Sequence, residues 1–304
     1  MDQAQTAMDL IELEVCPICG SQTNSPFESI QDVGRVVTYL LCDNCAAVYQ
    51  SPRMTEETLD SYYEREYVAQ HQRAIGVTEK ELRIQAGRAR NLVRLLRSQV
   101  GTVDRHLDIG CSTGSLMTTM TEVYDSTAMG VEPAEIYRSY CLARGLRVVP
   151  DLADLDGDRF DLITMAHVLE HLPDPVQYLR ELRERWLTPD GALLIEVPNL
   201  FGHQSLELPH LFCFSASTLR YALERAGYEV AQIVRHGAPR SQLIALYLTA
   251  IARPGRDGGT DPARRPNSKT VRIRRKSGRM WHRLATRFAP GWAWLPLPDL
   301  EARP

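Results

Sequence analysis

No stretch of the 304 residues is apolar over the roughly 20 positions that a membrane-crossing helix needs, so no spanning segment is expected. The opening MDQAQTAMDLIELEV carries acids and no basic residue, unlike the Lys/Arg-rich start of a secretion signal, which favours a cytoplasmic location. Basic residues are also scarce between Cys16 and Cys45, where Arg35 stands alone beside Glu28, Asp32 and Asp43. That segment is no phosphate-binding surface, and nucleic acid is disfavoured as a partner. A dinucleotide turn, G-x-G-x-x-G, is missing too: the one glycine-rich strand–helix junction has Ser112 where the middle glycine would stand.

What remains is a globular composition, 44% hydrophobic and 24% charged, enough for one large domain and something small. The net charge of −3 conceals an asymmetry: residues 252–304 hold 13 Lys or Arg against 4 Asp or Glu, leaving −12 for residues 1–251. Four of the seven cysteines, Cys16, Cys19, Cys42 and Cys45, form C-x2-C-x22-C-x2-C. Two such knuckles can present four thiolates to one tetrahedral Zn(II), and a fully closed set implies a structural metal. Pro17 and Gly20 supply turn chemistry to the first knuckle, Asp43 and Asn44 to the second.

The chain is organised around HLDIGCSTGSLM, residues 106–117. Leu107 and Ile109 bracket Asp108 as in a buried parallel strand, Gly110 and Gly114 make a turn with little bulk, and a helix opens at about Ser115. Its free N–H groups suit an anionic ligand. A second strand, Thr127 to Val131, ends in Glu132, eighteen residues after Gly114, where a doubly wound fold places the acid that holds a ribose diol.

D-x-G-x-x-x-G here resembles motif I of the class I S-adenosylmethionine (SAM) methyltransferases, and FDLITMAHVLEHLPDP and GALLIEVPN continue the likeness in order, over about residues 105–251. The resemblance implies an α/β fold, a doubly wound seven-stranded mixed sheet in the order 3-2-1-4-5-7-6 with the last strand antiparallel. It also implies that Asp108 and the loop Gly110, Cys111 to Gly114 face the methionine end of SAM, Glu132 its ribose and Asp151 its adenine. An alternative reading leaves Asp151 as a solvated loop carboxylate.

His167-x-x-Glu170-His171 follows the strand Phe160 to Met165. It is no inverted zinc-protease motif, because Pro173 and Pro175 end any helix within a turn. Two readings stay open. Ubiquinone-pathway O-methyltransferases carry a similar E-x-x-E-H that binds a divalent ion, with His167 replacing the first carboxylate here; otherwise His167 lines the SAM cleft while Glu170 and His171 shape the loop. Further on, His203 and His210 both fall near the carboxyl edge of the sheet, and His210 is the first choice as general base, ahead of His171 and His167. Zinc-ribbon-headed deoxysugar C-methyltransferases have a similar His-Glu-His-Leu segment ending Phe-Ser; His210, Leu211, Phe214 and Ser215 match its second half, but Pro209 stands at the glutamate.

The expected layout is a zinc ribbon at 1–50, linker and lid helices at 51–100, a SAM domain at 101–251 and a basic tail at 252–304. By the resemblance, Tyr63 or Tyr67 would belong to the lid, and a helix over Thr78 to Arg97 would present Leu82, Ala86, Ala89, Leu92, Val93 and Leu96 on one face. The expected activity is SAM-dependent methylation of an oxygen of a small molecule, sugar or glycan. Its rivals are deoxysugar C-methylation and a zinc-ribbon, basic-tail binding protein on a SAM-fold scaffold. Met280, Trp281, Leu284 and Phe288 share one side of a basic tail helix, which fits either an anionic membrane surface, an acidic partner or docking on the chain's own acidic body.

Overall fold

Stretches 160–166 and 192–198 run apolar at consecutive positions with few polar breaks, as in strands covered on both faces. In the computed structural model of the chain they lie in the buried middle of a seven-stranded sheet. The structure describes residues 9–32, 34–61, 76–157, 159–204, 206–255 and 265–300. Tyr63 and Tyr67, the lid candidates, lie outside these residues.

In chain order, the N-terminal region holds β1 (Leu10–Ile11), β2 (Asn24–Asp32), β3 (Arg35–Cys42), β4 (Val48–Gln50), β5 (Arg53–Met54) and α1 (Glu56–Ser61). α2 (Glu79–Leu96) follows, opened by a capping box in which Thr78 Oγ1 accepts from Glu81 N and Glu81 Oε2 accepts from Thr78 N at 2.8 Å. Next come β6 (Arg105–Ile109), α3 (Ser115–Tyr124), β7 (Thr127–Val131), α4 (Glu135–Ala143), β8 (Val148–Val149), β9 (Phe160–Ala166) and α5 (Pro175–Glu181). The chain then runs through β10 (Leu187–Pro198), β11 (Phe212–Cys213), α6 (Ala216–Arg225), β12 (Tyr228–His236), β13 (Tyr247–Pro254), α7 (Val271–Phe288) and α8 (Pro290–Ala293).

The sheet order is β12-β13-β10-β9-β6-β7-β8, with β13 antiparallel to both neighbours and the remaining pairs parallel. Counted from β6 as first strand this is 3-2-1-4-5-7-6, as the resemblance implies. Alternate residues of a strand feed opposite faces. Ile163, Met165, Leu193 and Ile195 join the cluster under α5 and α6, while Leu162, Ala192 and Leu194 meet Ala89, Leu92, Val93 and Leu96 of α2. Chain order reverses between β6's neighbours β7 and β9, so the ligand crevice of such a sheet falls at the carboxyl ends of β6 and β9.

Three local outcomes differ from the periodicity. α5 ends at Glu181 and runs on as a single π turn, Leu182–Trp186. β10 begins at Leu187, pairing Leu187 with Phe160 before an irregularity at Pro189-Asp190-Gly191 restores the register at Ala192–Leu162. β13 outlasts Ile251 by three residues, because Arg253 is held at its Nη1 and Nη2 by the carbonyls of Asp190 and Gln99.

Candidate functional site

Gly110 and Gly114 both have left-handed φ, +70° and +68°, which glycine adopts without penalty. A Cβ at Gly110 would stand 2.5 Å from Val168 Cγ2, and one at Gly114 2.2 Å from Leu146 Cδ1, so neither position accommodates a side chain. The Gly110–Val168 contact also sets the glycine loop against the His167–His171 segment, and both motifs share the carboxyl edge of the sheet.

Glu132 is buried at the end of β7, with Oε2 accepting from Ser112 N at 2.8 Å and Oε1 from Ala134 N at 2.9 Å. Burial raises its pKa against these two hydrogen bonds. One acceptor site on each oxygen remains for a diol. Asp108 is buried at the end of β6 and accepts from Thr164 Oγ1 at 2.6 Å; burial pushes its carboxyl up to about 7. Thr164 Oγ1 lies 2.8 Å from His106 Nε2, so a neutral His106, whose pKa burial lowers to about 3, completes a donor chain of imidazole, hydroxyl and carboxylate. Neither His106 nor Thr164 was singled out by the motifs. Cys111 is buried beneath the loop, its N–H given to Val131 O. Asp151 sits apart in its bonding: its Oδ1 caps the turn Leu152–Asp154 by accepting from Ala153 N, and the residue is exposed.

The histidines meet a dense buried charge network. His167 adopts φ +59°; its Nδ1 is 3.4 Å from Glu170 Oε1 and its Nε2 3.4 Å from Glu196 Oε1. Burial and Arg88 act to lower its pKa, but the two carboxylates prevail and raise it. Glu196 also faces Arg88 Nε at 2.8 Å and His236 Nε2 at 3.3 Å. Burial alone would raise its pKa; hydrogen bonds from His167 and His236 and the charge of Arg88 hold the carboxyl well below the usual range. Tyr247 packs against His167, His203 and His236. Of these, Arg88, Glu196, His236 and Tyr247 escaped the sequence reading, although a lone acid inside the apolar run LLIEVP was a signal for Glu196.

A second group forms around Glu170. His171 Nδ1 is 2.9 Å from the Pro209 carbonyl, so that nitrogen carries the proton and Nε2 holds the lone pair. Burial lowers the His171 pKa to about 4, which keeps the ring neutral. The rings of His171 and His210 meet edge to face at 4.9 Å, and ligand atoms of Glu170, His171 and His210 lie within 4.8 Å of one another. Neither Glu170 oxygen has a well-aligned hydrogen-bond donor among the described residues. The geometry therefore draws together Glu170, His171 and His210, while His167 is committed to Glu170 and Glu196. His203 stands beside Tyr247, its pKa lowered to about 3 by burial.

The N-terminal region builds the floor under His210. β11 pairs with β4, so a strand from the sheet domain completes a four-stranded sheet of β11-β4-β3-β2. Tyr39 Oη donates to the carbonyls of Glu207 (2.7 Å) and His210 (2.8 Å), and Gln50 Nε2 lies within reach of the Glu207, Leu208 and His210 carbonyls. In the same region Cys16 and Cys45 Sγ are 3.7 Å apart and Cys19 and Cys42 Sγ 3.6 Å. A tetrahedral ion with bonds of ~2.3 Å separates its sulfurs by ~3.8 Å, so the four thiols fit Zn(II). Asn44 Nδ2 donates to Cys19 Sγ at 3.4 Å, supporting a ligand from outside.

Residues 78–233, more than half of the chain, match the family described as methyltransferase domain. The ubiquinone biosynthesis O-methyltransferase of Haemophilus ducreyi is 27% identical over 142 residues, 42% of this chain and 58% of that protein. The Actinobacillus pleuropneumoniae enzyme of the same name is 30% identical over 107 residues, 31% and 45% of the two chains. The chain thus spans about half the length of these curated relatives. In structure it is similar to the 1,6-didemethyltoxoflavin-N1-methyltransferase of Burkholderia thailandensis with bound 1,6-didemethyltoxoflavin and S-adenosylhomocysteine. The TM-score is 0.55 at 19% identity, over 76% of this chain and 99% of that one, a likeness of fold alone.

Proposed function

The chain belongs to the methyltransferase-domain family, and we propose that it is a class I SAM-dependent enzyme that methylates a hydroxyl oxygen of a small molecule, sugar or glycan, with His210 as general base. The observation that carries this reading is the Glu170–His171–His210 group beside the glycine loop at the carboxyl edge of the sheet. The O-methyltransferase names of the curated relatives support an oxygen acceptor.

Bound SAM supplies an activated methyl on a sulfonium, so the chain's residues need to align the acceptor and take its proton. Alignment can lower the barrier by about 7–11 kcal/mol, and a positioned base adds about 10²–10⁴-fold. In the proposed site Glu132 receives the ribose diol on its two remaining acceptor positions, Asp108 the methionine ammonium, and the Gly110, Cys111 to Gly114 loop lets both approach the backbone. A bound ammonium would pull the raised Asp108 pKa back down. His210 would take the acceptor's O–H proton as the acceptor oxygen bonds to the methyl and the sulfonium's S–CH3 bond breaks to give a thioether. His171 meets His210's ring edge to face, and His167 pairs with both Glu170 and Glu196. The four cysteines are proposed to hold one structural Zn(II), and the domain limits to follow the ribbon at 1–50, linker to 100, SAM domain to 251 and tail to 304.

A second reading is favoured by the buried Glu170 carboxylate, paired with His167 at 3.4 Å, and by His171 Nε2, which faces it at 4.0 Å. Glu170, His171 and His210 would then hold a divalent cation, and His210 would be a ligand instead of a base. Deoxysugar C-methylation lacks its paired acid at Pro209.

Incubating the protein with methyl-labelled SAM and a small-molecule extract, then reading products by mass spectrometry, tests the proposal. The expected product gains one methyl as a methyl ether. A product labelled on carbon or nitrogen overturns the oxygen assignment.

A further inference from the structure

α7 is a three-sided helix. One side, Val271, Arg275, Gly278, His282 and Ala285, is docked. Arg275 is buried and gives its Nη1 to the carbonyls of Leu200 and His203 (2.7 Å to the latter), and His282 Nδ1 is 3.0 Å from Gly202 O. Gly278 lies so close to the same loop that a Cβ would be 1.8 Å from Phe201 O. Arg272 and Arg279 reach across to Pro26, Phe27 and Glu28 of β2. Thus the tail helix docks on the chain's own acidic body, and two of its three sides are left.

The second side carries Ile273, Met280, Leu284 and Phe288, exposed by 67, 60, 42 and 74%, and Trp281 stands at its margin, half exposed. Trp292, in α8, is 62% exposed and continues the series. An ordinary amphipathic helix turns such a stripe to the core; here arginines and a glycine hold the opposite side down, so the stripe points outward. Lys276, Arg283 and Arg287 are exposed on the third side. From Val271 to Trp294 there are seven Lys or Arg and no acid.

We infer that this outward side of α7, with Trp292, docks on an anionic lipid bilayer. The apolar side chains would enter the interface while the flanking cations meet lipid phosphates. A second copy of the chain is a poor occupant, because facing stripes would bring Lys276, Arg283 and Arg287 up to the same cations of the other copy. No helix among the described residues is long and apolar enough to cross a membrane, so attachment would be peripheral. The site lies outside residues 78–233, and its ligand is independent of which atom is methylated.

The test is co-sedimentation of the full chain with vesicles of phosphatidylglycerol and phosphatidylcholine, or of phosphatidylcholine alone. The wild type is expected to pellet with the anionic vesicles at low salt, at least about tenfold more than with neutral ones, and to be released by high salt. Met280→Asp/Leu284→Asp/Phe288→Asp, three changes on an undocked side, should abolish pelleting while circular dichroism and SAM affinity stay as in the wild type. Wild-type protein that stays in the supernatant, or a triple variant that pellets equally, overturns the inference. So does a wild-type dimer in light scattering that the triple variant converts to monomer, since the stripe would then belong to a second copy.

Discussion

His210→Ala is expected to lower turnover by about 10²–10⁴-fold, the range for loss of a general base, with SAM affinity unchanged. The two effects separate because His210 stands on the 207–211 loop beside His171, while Asp108, Glu132 and the glycine loop are supported by Thr164, Ser112 and Ala134. Steady-state kinetics with SAM titrated independently reads both. Unchanged turnover would move the proton transfer to His171, whose lone-pair nitrogen is the nearest alternative, or to His167, which Glu170 and Glu196 hold toward the imidazolium. Should turnover fall together with a bound divalent ion, detected by metal analysis at Glu170, His171 and His210, the ligand role would replace the base.

Cys42→Ser should cost nearly as much. Structural zinc contributes about 10–16 kcal/mol of binding free energy, which in a small metal-held unit is folding free energy. A ribbon that unfolds takes with it β4, the partner of β11, and the Tyr39 hydroxyl and Gln50 amide that hold the carbonyls on either side of His210. Turnover should drop by at least ~10²-fold because a base displaced by an ångström loses its alignment. Metal content should fall from one zinc per chain. Gln50→Ala, which leaves the cysteines alone, should give a smaller loss of turnover with zinc retained. A wild type without zinc, or a Cys42→Ser variant that turns over normally, would overturn the structural-metal assignment. The sequence alone pointed to a zinc needed for folding and not for chemistry; the contacts of Tyr39 and Gln50 join the two.

Features written in adjacent residues were legible. The strand, glycine turn and helix at 106–117 and the two C-x2-C knuckles each need only local spacing, because the conformations they impose span a few residues. The 3.6-residue period likewise placed Met280, Trp281, Leu284 and Phe288 together. Period says which residues share a side, not where that side faces; the direction of α7 depends on Arg275 reaching Leu200 and on the absence of a side chain at Gly278. The charge network was less legible still. Arg88 and Glu196 are more than a hundred residues apart, as are Tyr39 and His210, and nothing in either segment names its partner. Asp151 has two uses open to it: the resemblance implies an adenine contact, and its Oδ1 also caps the local turn Leu152–Asp154.

Calorimetric titration of SAM into zinc-loaded wild type and into Glu132→Ala tests the cofactor site most directly. The wild type should bind one SAM with a micromolar dissociation constant, about −8 kcal/mol. The variant, losing the carboxylate that ties Ser112 and Ala134 and receives the ribose, should bind at least about tenfold more weakly, since each hydrogen bond to a charged group is worth about 1.5–3 kcal/mol. No heat of binding from the wild type, or equal affinity in the two proteins, would contradict the placement of SAM between Asp108 and Glu132.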